Sequence, residues 1–159
     1  MKYIIKTKYI NDKEYIFDPT RKKYLINTPE EWVRQNFIHY LNTKKGYPLS
    51  LISTETLTPL NNIKYRSDII CYNSIGKAIL IVECKSPKIN LKTHVFDQVQ
   101  NYNSVLKTNC IIITNGKKTI CFNTTNNEIK FNVSSSNLYK FQITNKYYDS
   151  FIKLILRAY

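Results

Sequence analysis

Acidic residues are scarce in this sequence, which has 11 Asp and Glu against 24 Lys and Arg and a formal net charge of +13. Only three glycines and five prolines are present, which excludes collagen-like and linker-rich architectures. No apolar run approaches the roughly 18 residues that a membrane-spanning helix needs, and the first residues lack the apolar core of a secretory signal. The four cysteines form no C-x-x-C pair, and each lies within an apolar run. We therefore expect a cytoplasmic protein with buried free thiols.

The positive charge favours polyanionic partners such as nucleic acids, because long-range attraction draws them to the surface. Lysine supplies 20 of the 24 cations, so a bias of composition explains part of the excess and no single lysine carries the argument. The length of 159 residues suits one domain, and we expect residues 1–159 to fold as one. Because acids are so few, any group of them that converges in the fold is a candidate site.

Turn signals and hydrophobic periodicity divide the chain into strands and helices. A helix begins after Thr28, which is a credible N-cap followed by proline, with Glu31 as the acid of a capping box. Its apolar stripe is Val33, Phe37, Tyr40 and Leu41, and it ends at Gly46. The other predicted elements are an N-terminal hairpin (2–10 and 14–18), a basic connector or strand (21–26), strands (49–58, 66–73, 77–85, 110–114, 118–123 and 128–133) and helices (93–107 and 146–158).

Strand 77–85, helix 93–107 and strand 110–114 form a βαβ unit, which predicts two parallel strands with a right-handed crossover. Residues 78–82 are apolar on both faces, as in a central strand that is covered on both sides. The predicted fold class is therefore α/β, with a mixed central sheet flanked by helices, an N-terminal hairpin and a C-terminal helix.

Two acids meet in the hairpin that spans residues 66–85. A turn centred near residues 75–76 places Asp68 opposite Glu83, and the same register pairs Tyr72 with Ile79. Directly opposed residues share a face of the sheet, with Cβ atoms about 4.5–5.5 Å apart. Lys85 follows Glu83 by two residues and lies on that face as well.

Such a pair of carboxylates needs a compensating charge, because like charges that face each other destabilise a strand pair. Mg²⁺ supplies it naturally, since Mg²⁺ is usually held by one or two carboxylates together with water and phosphate oxygens. Asp68, Glu83 and Lys85 would then serve metal-assisted phosphodiester hydrolysis. The alternative on spacing alone is a structural Asp–Lys–Glu salt-bridge cluster at a sheet edge.

Five segments of the chain resemble a known family. They are residues 28–35 (Thr-Pro-Glu-Glu-Trp-Val-Arg-Gln), 46–48 (Gly-Tyr-Pro), the Asp68…Glu83-Cys84-Lys85 set, 98–103 (Gln-Val-Gln-Asn-Tyr-Asn) and 114–116 (Thr-Asn-Gly). The acids and lysine resemble the PD-(D/E)XK nuclease signature. More narrowly, residues 28–122 resemble the N-terminal nuclease domain of type I restriction enzyme R subunits.

The resemblance implies a restriction-endonuclease-like αβββαβ core and a deoxyribonuclease that depends on Mg²⁺ or Mn²⁺. It implies that Asp68 and Glu83 are metal ligands, that the main-chain carbonyl of Cys84 is a further ligand, and that Lys85 is the catalytic lysine. Type I R subunits also carry a helicase motor, but this sequence has no phosphate-binding G-x-x-x-x-G-K-[ST] motif. We therefore expect either a free-standing nuclease or a domain that works with other restriction-system subunits.

The resemblance adds three further candidate residues. The first helix of such nucleases often contributes an acid, and Glu30 is preferred over Glu31 because Glu30 falls on the apolar stripe. Gln98 and Tyr102 form a Q-x-x-x-Y pair one helical turn apart, a motif that belongs to the nuclease site of type I and related restriction enzymes. The alternative is that Tyr102 is part of the core and Gln98 is solvated.

Four lysines near this site are the best candidates for contacts to DNA phosphates: Lys88, Lys92, Lys117 and Lys118. The cluster of Arg21, Lys22 and Lys23 is a weaker candidate. The competing interpretation of the whole chain is a non-catalytic nucleic-acid-binding module, or a subunit of a restriction or repair assembly.

Overall fold

The computed structural model describes residues 4–60, 63–91, 107–124 and 128–132. One helix and nine strands lie in these ranges: β1 (Thr7–Ile10), β2 (Lys13–Asp18), β3 (Lys23–Ile26), α1 (Pro29–Lys45), β4 (Ile52–Leu60), β5 (Ile63–Tyr72), β6 (Ala78–Cys84), β7 (Cys110–Thr114), β8 (Thr119–Asn123) and β9 (Glu128–Asn132). The predicted helices over 93–107 and 146–158 fall on residues outside the described ranges, apart from Lys107.

The first three strands form a small antiparallel sheet in the order β1-β2-β3. Asn11 and Asp12, between β1 and β2, both have positive φ angles, of 48° and 59°. A two-residue turn of this kind matches the twist of a hairpin, and Asn and Asp tolerate it. The predicted N-terminal hairpin is thus confirmed, and the basic segment after it contains strand β3.

Helix α1 begins and ends as the sequence predicts. The Oγ1 of Thr28 accepts a hydrogen bond of 3.0 Å from the main-chain N–H of Glu31, and Gly46 closes the helix in the left-handed conformation with a φ of 70°. The predicted capping box is wrong. It requires the N–H of Thr28 to donate to the carboxylate of Glu31, but this N–H donates to the carbonyl of Ile26. The carboxylate of Glu31 turns into the protein.

The remaining strands form a six-stranded sheet in the order β4-β5-β6-β7-β8-β9. Strands β6 and β7 are parallel, as predicted, and all other neighbours are antiparallel. The mixed sheet is therefore confirmed. The parallel pair brings the carboxyl ends of β6 and β7 to the same edge of the sheet.

Two details of strand pairing differ from the sequence prediction. Residues Leu49–Leu51 form a 3-10 turn, so the strand predicted from residue 49 begins at Ile52. The register shifts at the closed end of the β5–β6 hairpin, where Tyr72 pairs with Ala78 instead of Ile79. A local irregularity next to the turn is the physical reason, and the register further along the hairpin is the predicted one.

The main core lies between α1 and one face of the large sheet. Its helix residues include the predicted stripe, and its strand residues include Ile69, Leu80, Val82 and Ile112. A smaller apolar cluster of Ile111 and Ile113 lies on the opposite face. All four cysteines are buried and free, as predicted. Among the described residues, no helix is long and apolar enough to cross a membrane.

Candidate active site

Three carboxylates stand in a row across strands β4, β5 and β6. The β4–β5 register is the same on both sides of Glu55, so Glu55 lies opposite Asp68. The β5–β6 ladder, continued by one residue in its own register, places Asp68 opposite Glu83. The register that the sequence predicts for the second pair agrees with this ladder, whereas the third acid, Glu55, was missed.

Asp68, in the middle of the row, is held by two hydrogen bonds. Its Oδ1 accepts from Nη2 of Arg34 at 2.7 Å, and its Oδ2 accepts from the main-chain N–H of Cys84 at 2.7 Å. The side chain is almost fully buried. Each carboxylate oxygen keeps a free lone pair after these bonds, so Asp68 can still accept a further ligand.

Glu83 has one paired oxygen and one unpaired oxygen. Its Oε1 lies 2.6 Å from Nζ of Lys85, while its Oε2 is buried without a hydrogen-bond partner. Burial and the charge of Asp68 raise the pKa of Glu83 to about 7, against the lowering effect of Lys85. A buried carboxylate oxygen without a partner is costly, and a bound cation or water would satisfy it.

Lys85 follows directly after β6 and is charged in this arrangement. Burial lowers the pKa of Lys85, but its hydrogen bond to Glu83 and the charge of that carboxylate raise the pKa above its ordinary value. Lys85 is therefore an ammonium in the cation-free protein, able to donate but not to accept a proton.

Arg34 of helix α1 is the buried centre of the site, and sequence reasoning missed it. Its Nη1 lies 2.7 Å from Oε2 of Glu31 and 3.0 Å from Oε1 of Glu55, while its Nη2 bonds Asp68. Burial lowers the pKa of Arg34, but the charges of Asp68 and Glu31 raise it, so the guanidinium stays charged. One sequence signal could have indicated a buried ion pair in α1: Arg34 is next to Val33 of the apolar stripe and follows Glu31 by three residues.

Arg21 and Arg66 extend the ion-pair network beyond Arg34. Arg21 lies 2.7 Å from Asp18 and 2.6 Å from Glu55, and Arg66 lies 3.4 Å from Glu55. Burial raises the pKa of Asp18, but hydrogen bonds from Thr20 and Arg21 outweigh it and hold the pKa below its ordinary value. Arg21 was a weaker candidate for DNA contact. In the structure its guanidinium forms ion pairs with the carboxylates of Asp18 and Glu55.

The whole cluster gathers six of the 11 acids in the chain and three of its four arginines. Its acids are Asp18, Glu30, Glu31, Glu55, Asp68 and Glu83, and its cations are Arg21, Arg34, Arg66 and Lys85. Six negative charges against four positive charges leave a formal charge of −2. In a chain with a net charge of +13, this is a concentrated acidic centre.

The two acids at the start of α1 have different surroundings. Glu31 is buried and accepts hydrogen bonds from Arg34 at 2.7 Å and from Gln35 at 2.9 Å. Glu30 is 44% exposed, and its pKa is raised by burial and by the charge of Asp68, while Lys85 lowers it. The reason given for preferring Glu30, its place on the apolar stripe, is wrong, because Glu31 is the buried acid of the two. The charges of Asp68 and Lys85 act on the pKa of Glu30, and its catalytic role stays a prediction.

The residues present fit a hard divalent cation with few protein ligands. Among the described residues, no group of three or more His, Cys, Asp or Glu side chains has the arrangement of a metal site. The pair of Asp68 and Glu83, with its unpartnered oxygen, nevertheless suits Mg²⁺, which takes one or two carboxylates and completes its shell with water and phosphate. The Cys84 thiol is no ligand, because burial raises its pKa well above the ordinary value, so only the main chain of Cys84 is available.

Two loops at the carboxyl ends of β6 and β7 are tied together beside the acids. The N–H of Lys85 donates to the carbonyl of Thr114, and Nδ2 of Asn115 donates to the carbonyl of Ile89. Oδ1 of Asn115 accepts from the N–H groups of the two lysines that follow Gly116. We call Lys88, Lys117 and Lys118, whose side chains are exposed on these loops, the basic rim. Gln98, Tyr102 and Lys92 lie outside the described residues.

Comparison with family models decides the family. The model of the type I restriction enzyme R protein N terminus matches residues 29–136, which is more than half of the chain. The chain belongs to this family. The part that matches the R protein N terminus contains α1, the three carboxylates in a row, Lys85 and Asn115.

Two further comparisons complete the findings. The model of the RecQ helicase winged-helix domain of Bacteroidota matches residues 129–159, a shorter segment that begins inside β9 and overlaps the R protein N-terminal match by eight residues. No curated protein and no solved structure matches the chain.

Proposed function

We propose that this chain is a metal-dependent endonuclease of the PD-(D/E)XK type that hydrolyses DNA phosphodiester bonds. Its membership of the R protein N-terminal family supports a restriction-related nuclease module. The observation that carries the proposal is Glu83, whose buried Oε2 has no partner beside Asp68 while Lys85 holds its Oε1. A purely structural ion pair has no need of a second, buried and unsatisfied carboxylate oxygen.

Asp68 and Glu83 would hold the cation, and the main-chain carbonyl of Cys84 would be a further ligand. A bound Mg²⁺ would polarise the phosphate and lower the pKa of a water molecule. Lys85 would place its ammonium against the negative charge that develops on the phosphate, and Glu30, which is partly exposed beside it, would accept a proton or orient a water molecule. Gln98 and Tyr102 would complete the site as the Q-x-x-x-Y pair.

DNA is the proposed substrate, because the acidic centre is surrounded by a strongly basic protein. The basic rim, together with Lys92, would contact phosphates and hold the backbone over the acids. We further propose that the domain acts either alone or with other restriction-system subunits, in the cytoplasm.

The direct test is cleavage of supercoiled plasmid with Mg²⁺, Mn²⁺ or EDTA. We expect nicking or linearisation with either cation, none with EDTA, and loss of activity in Lys85→Ala. Lys77→Ala is the matched control, since Lys77 is an exposed lysine at the opposite end of the same strand. If Lys85→Ala and Lys77→Ala cut equally well, the activity does not belong to this site.

A second candidate function is a non-catalytic nucleic-acid-binding module. The paired state of the site favours it, because Arg34 already neutralises Asp68 and Lys85 already neutralises Glu83. This candidate predicts salt-dependent DNA binding that is unaffected by EDTA, with no cleavage under any of the conditions above. Adding the other subunits of the system would then be needed to produce cutting.

A further inference from the structure

Arg34 lies between two carboxylates that face each other across neighbouring strands. Glu55 and Asp68 are opposite residues of β4 and β5, and like charges in this position destabilise a strand pair. One guanidinium bonds both, with Nη1 at 3.0 Å from Glu55 and Nη2 at 2.7 Å from Asp68. The side chain of Arg34 is only 4% exposed, so solvent screens these contacts little.

We propose that Arg34 is the counter-ion of the candidate cation site, holding Asp68 in position when no cation is bound and weakening the binding of a divalent cation. The inference rests on the proposed function, since it requires a cation at Asp68 and Glu83. Arg34 is then a positioning residue, because it acts through Asp68 and touches neither the substrate nor the reacting atoms. The family comparison does not assign it this role.

The contacts of Arg34 allow it to loosen its hold on Asp68 without being left unpaired. Nη1 keeps Glu31 and Glu55 as partners whether or not Nη2 bonds Asp68. Asp68 in turn keeps the N–H of Cys84 on its other oxygen. Both side chains therefore keep a partner in the interior when a cation binds Asp68. A buried charge without any partner would be strongly unfavourable.

The test is isothermal titration of the folded protein with MgCl₂ alone, at constant ionic strength and without DNA. Arg34→Gln removes the charge and keeps a hydrogen-bond donor, and it should bind Mg²⁺ at least about tenfold more tightly, because a neighbouring charge shifts an ionic equilibrium by about one to three powers of ten. Arg34→Lys keeps the charge and should bind Mg²⁺ like the wild type. Arg66→Gln is the matched control, because Arg66 joins the same Glu55 from the surface, with its side chain 60% exposed.

Three outcomes overturn the proposal. If Arg34→Gln binds Mg²⁺ no more tightly than Arg66→Gln does, Arg34 has only a structural role, and the proposed nuclease function is untouched. If neither the wild type nor Arg34→Gln binds Mg²⁺, the counter-ion role and the proposed function are both wrong. If Arg34→Gln does not fold, Glu55→Gln serves in its place. Glu55→Gln leaves more of the Arg34 charge on Asp68 and should weaken Mg²⁺ binding, so unchanged binding overturns the proposal.

Discussion

The ammonium of Lys85 lies 2.6 Å from one oxygen of Glu83, while the other oxygen of the same carboxylate is buried without a partner. The ion pair is therefore only half of what Glu83 needs. Burial and the charge of Asp68 raise the pKa of Glu83 to about 7, with Glu30 adding to the effect and Lys85 opposing it. Glu83 consequently keeps its proton to a higher pH than an ordinary glutamate does in the cation-free protein.

The contribution of Glu83 to the stability of the cation-free protein should fall as the pH rises from about 4.5 to 7. The folded Glu83 holds its proton up to a pKa of about 7, whereas the unfolded carboxyl loses it near 4.3. Over that interval Glu83 binds more protons in the folded state than in the unfolded state, so its titration favours unfolding as the pH rises, by a few kcal/mol at most. Urea unfolding in EDTA across this range should show the slope, and Glu83→Gln should reduce it.

Asp12→Asn is the control for that measurement. It removes one carboxylate from an exposed hairpin turn and keeps a side chain that tolerates the positive φ angle there. The Asp12→Asn protein should keep the wild-type slope. An equal reduction of the slope in both variants would show that Glu83 does not titrate in this interval.

Asp68→Asn should destabilise the fold by about 1–3 kcal/mol, the usual cost of leaving a buried polar group without its partner. Repulsion between carboxylates alone would predict the opposite, a gain in stability. The structure favours a loss, because Asp68 accepts hydrogen bonds from Arg34 and from the N–H of Cys84. Urea unfolding measures the effect, and a stabilised Asp68→Asn protein would contradict the importance of these two bonds.

Asn115→Asp should weaken DNA binding by freeing the loop that carries Lys88. The substitution removes the amide that donates to the carbonyl of Ile89 and keeps the oxygen that accepts from the N–H of Lys117. Asn73→Asp is the matched control, because Oδ1 of Asn73 accepts a main-chain N–H in a turn at the other end of β6. Fluorescence anisotropy with labelled duplex DNA measures the change in affinity. Equal affinities for the two variants would show that DNA binding does not depend on the contact between Asn115 and Ile89.

The basic rim should set part of the salt dependence of DNA binding. Each lysine that neutralises a phosphate adds about −0.9 to the slope of log affinity against log salt concentration on duplex DNA. Replacing Lys88, Lys117 and Lys118 by alanine should therefore make the slope shallower by about 2–3, whereas Lys77→Ala should not change it. If the triple replacement leaves the slope unchanged, DNA binds to a different surface of the protein.

The sequence predicts the part of the site that depends on local pairing. Asp68 and Glu83 belong to one hairpin, so a turn position and alternation of apolar residues are enough to place them together. The same holds for Lys85, two residues further along the strand direction. The helix start at Thr28 was also predictable, because the N-cap and the proline act within one turn.

The missed part depends on contacts between distant elements. Arg34 reaches Asp68 only because one end of α1 docks at this point of the large sheet, and no periodicity within the helix reports that position. Local rules made Glu31 a capping residue, but its carboxylate instead accepts hydrogen bonds from the buried guanidinium of Arg34 and the buried amide of Gln35. Glu55 was hidden because it adopts a positive φ angle of 51° in the middle of a strand, a conformation that sequence patterns do not predict for glutamate.

The backbone conformation of Glu55 also bears on self-association of the protein. Among the strands that the structure describes, β4 is at one edge of the large sheet, where a regular strand presents a row of unpaired N–H and C=O groups that another chain can extend into a continuous sheet. The left-handed residue in the middle of β4 interrupts that row, and its charged side chain is drawn in toward Arg21 and Arg34. The conformation that brings a carboxylate into the acidic centre therefore also protects this edge from self-association through strand addition.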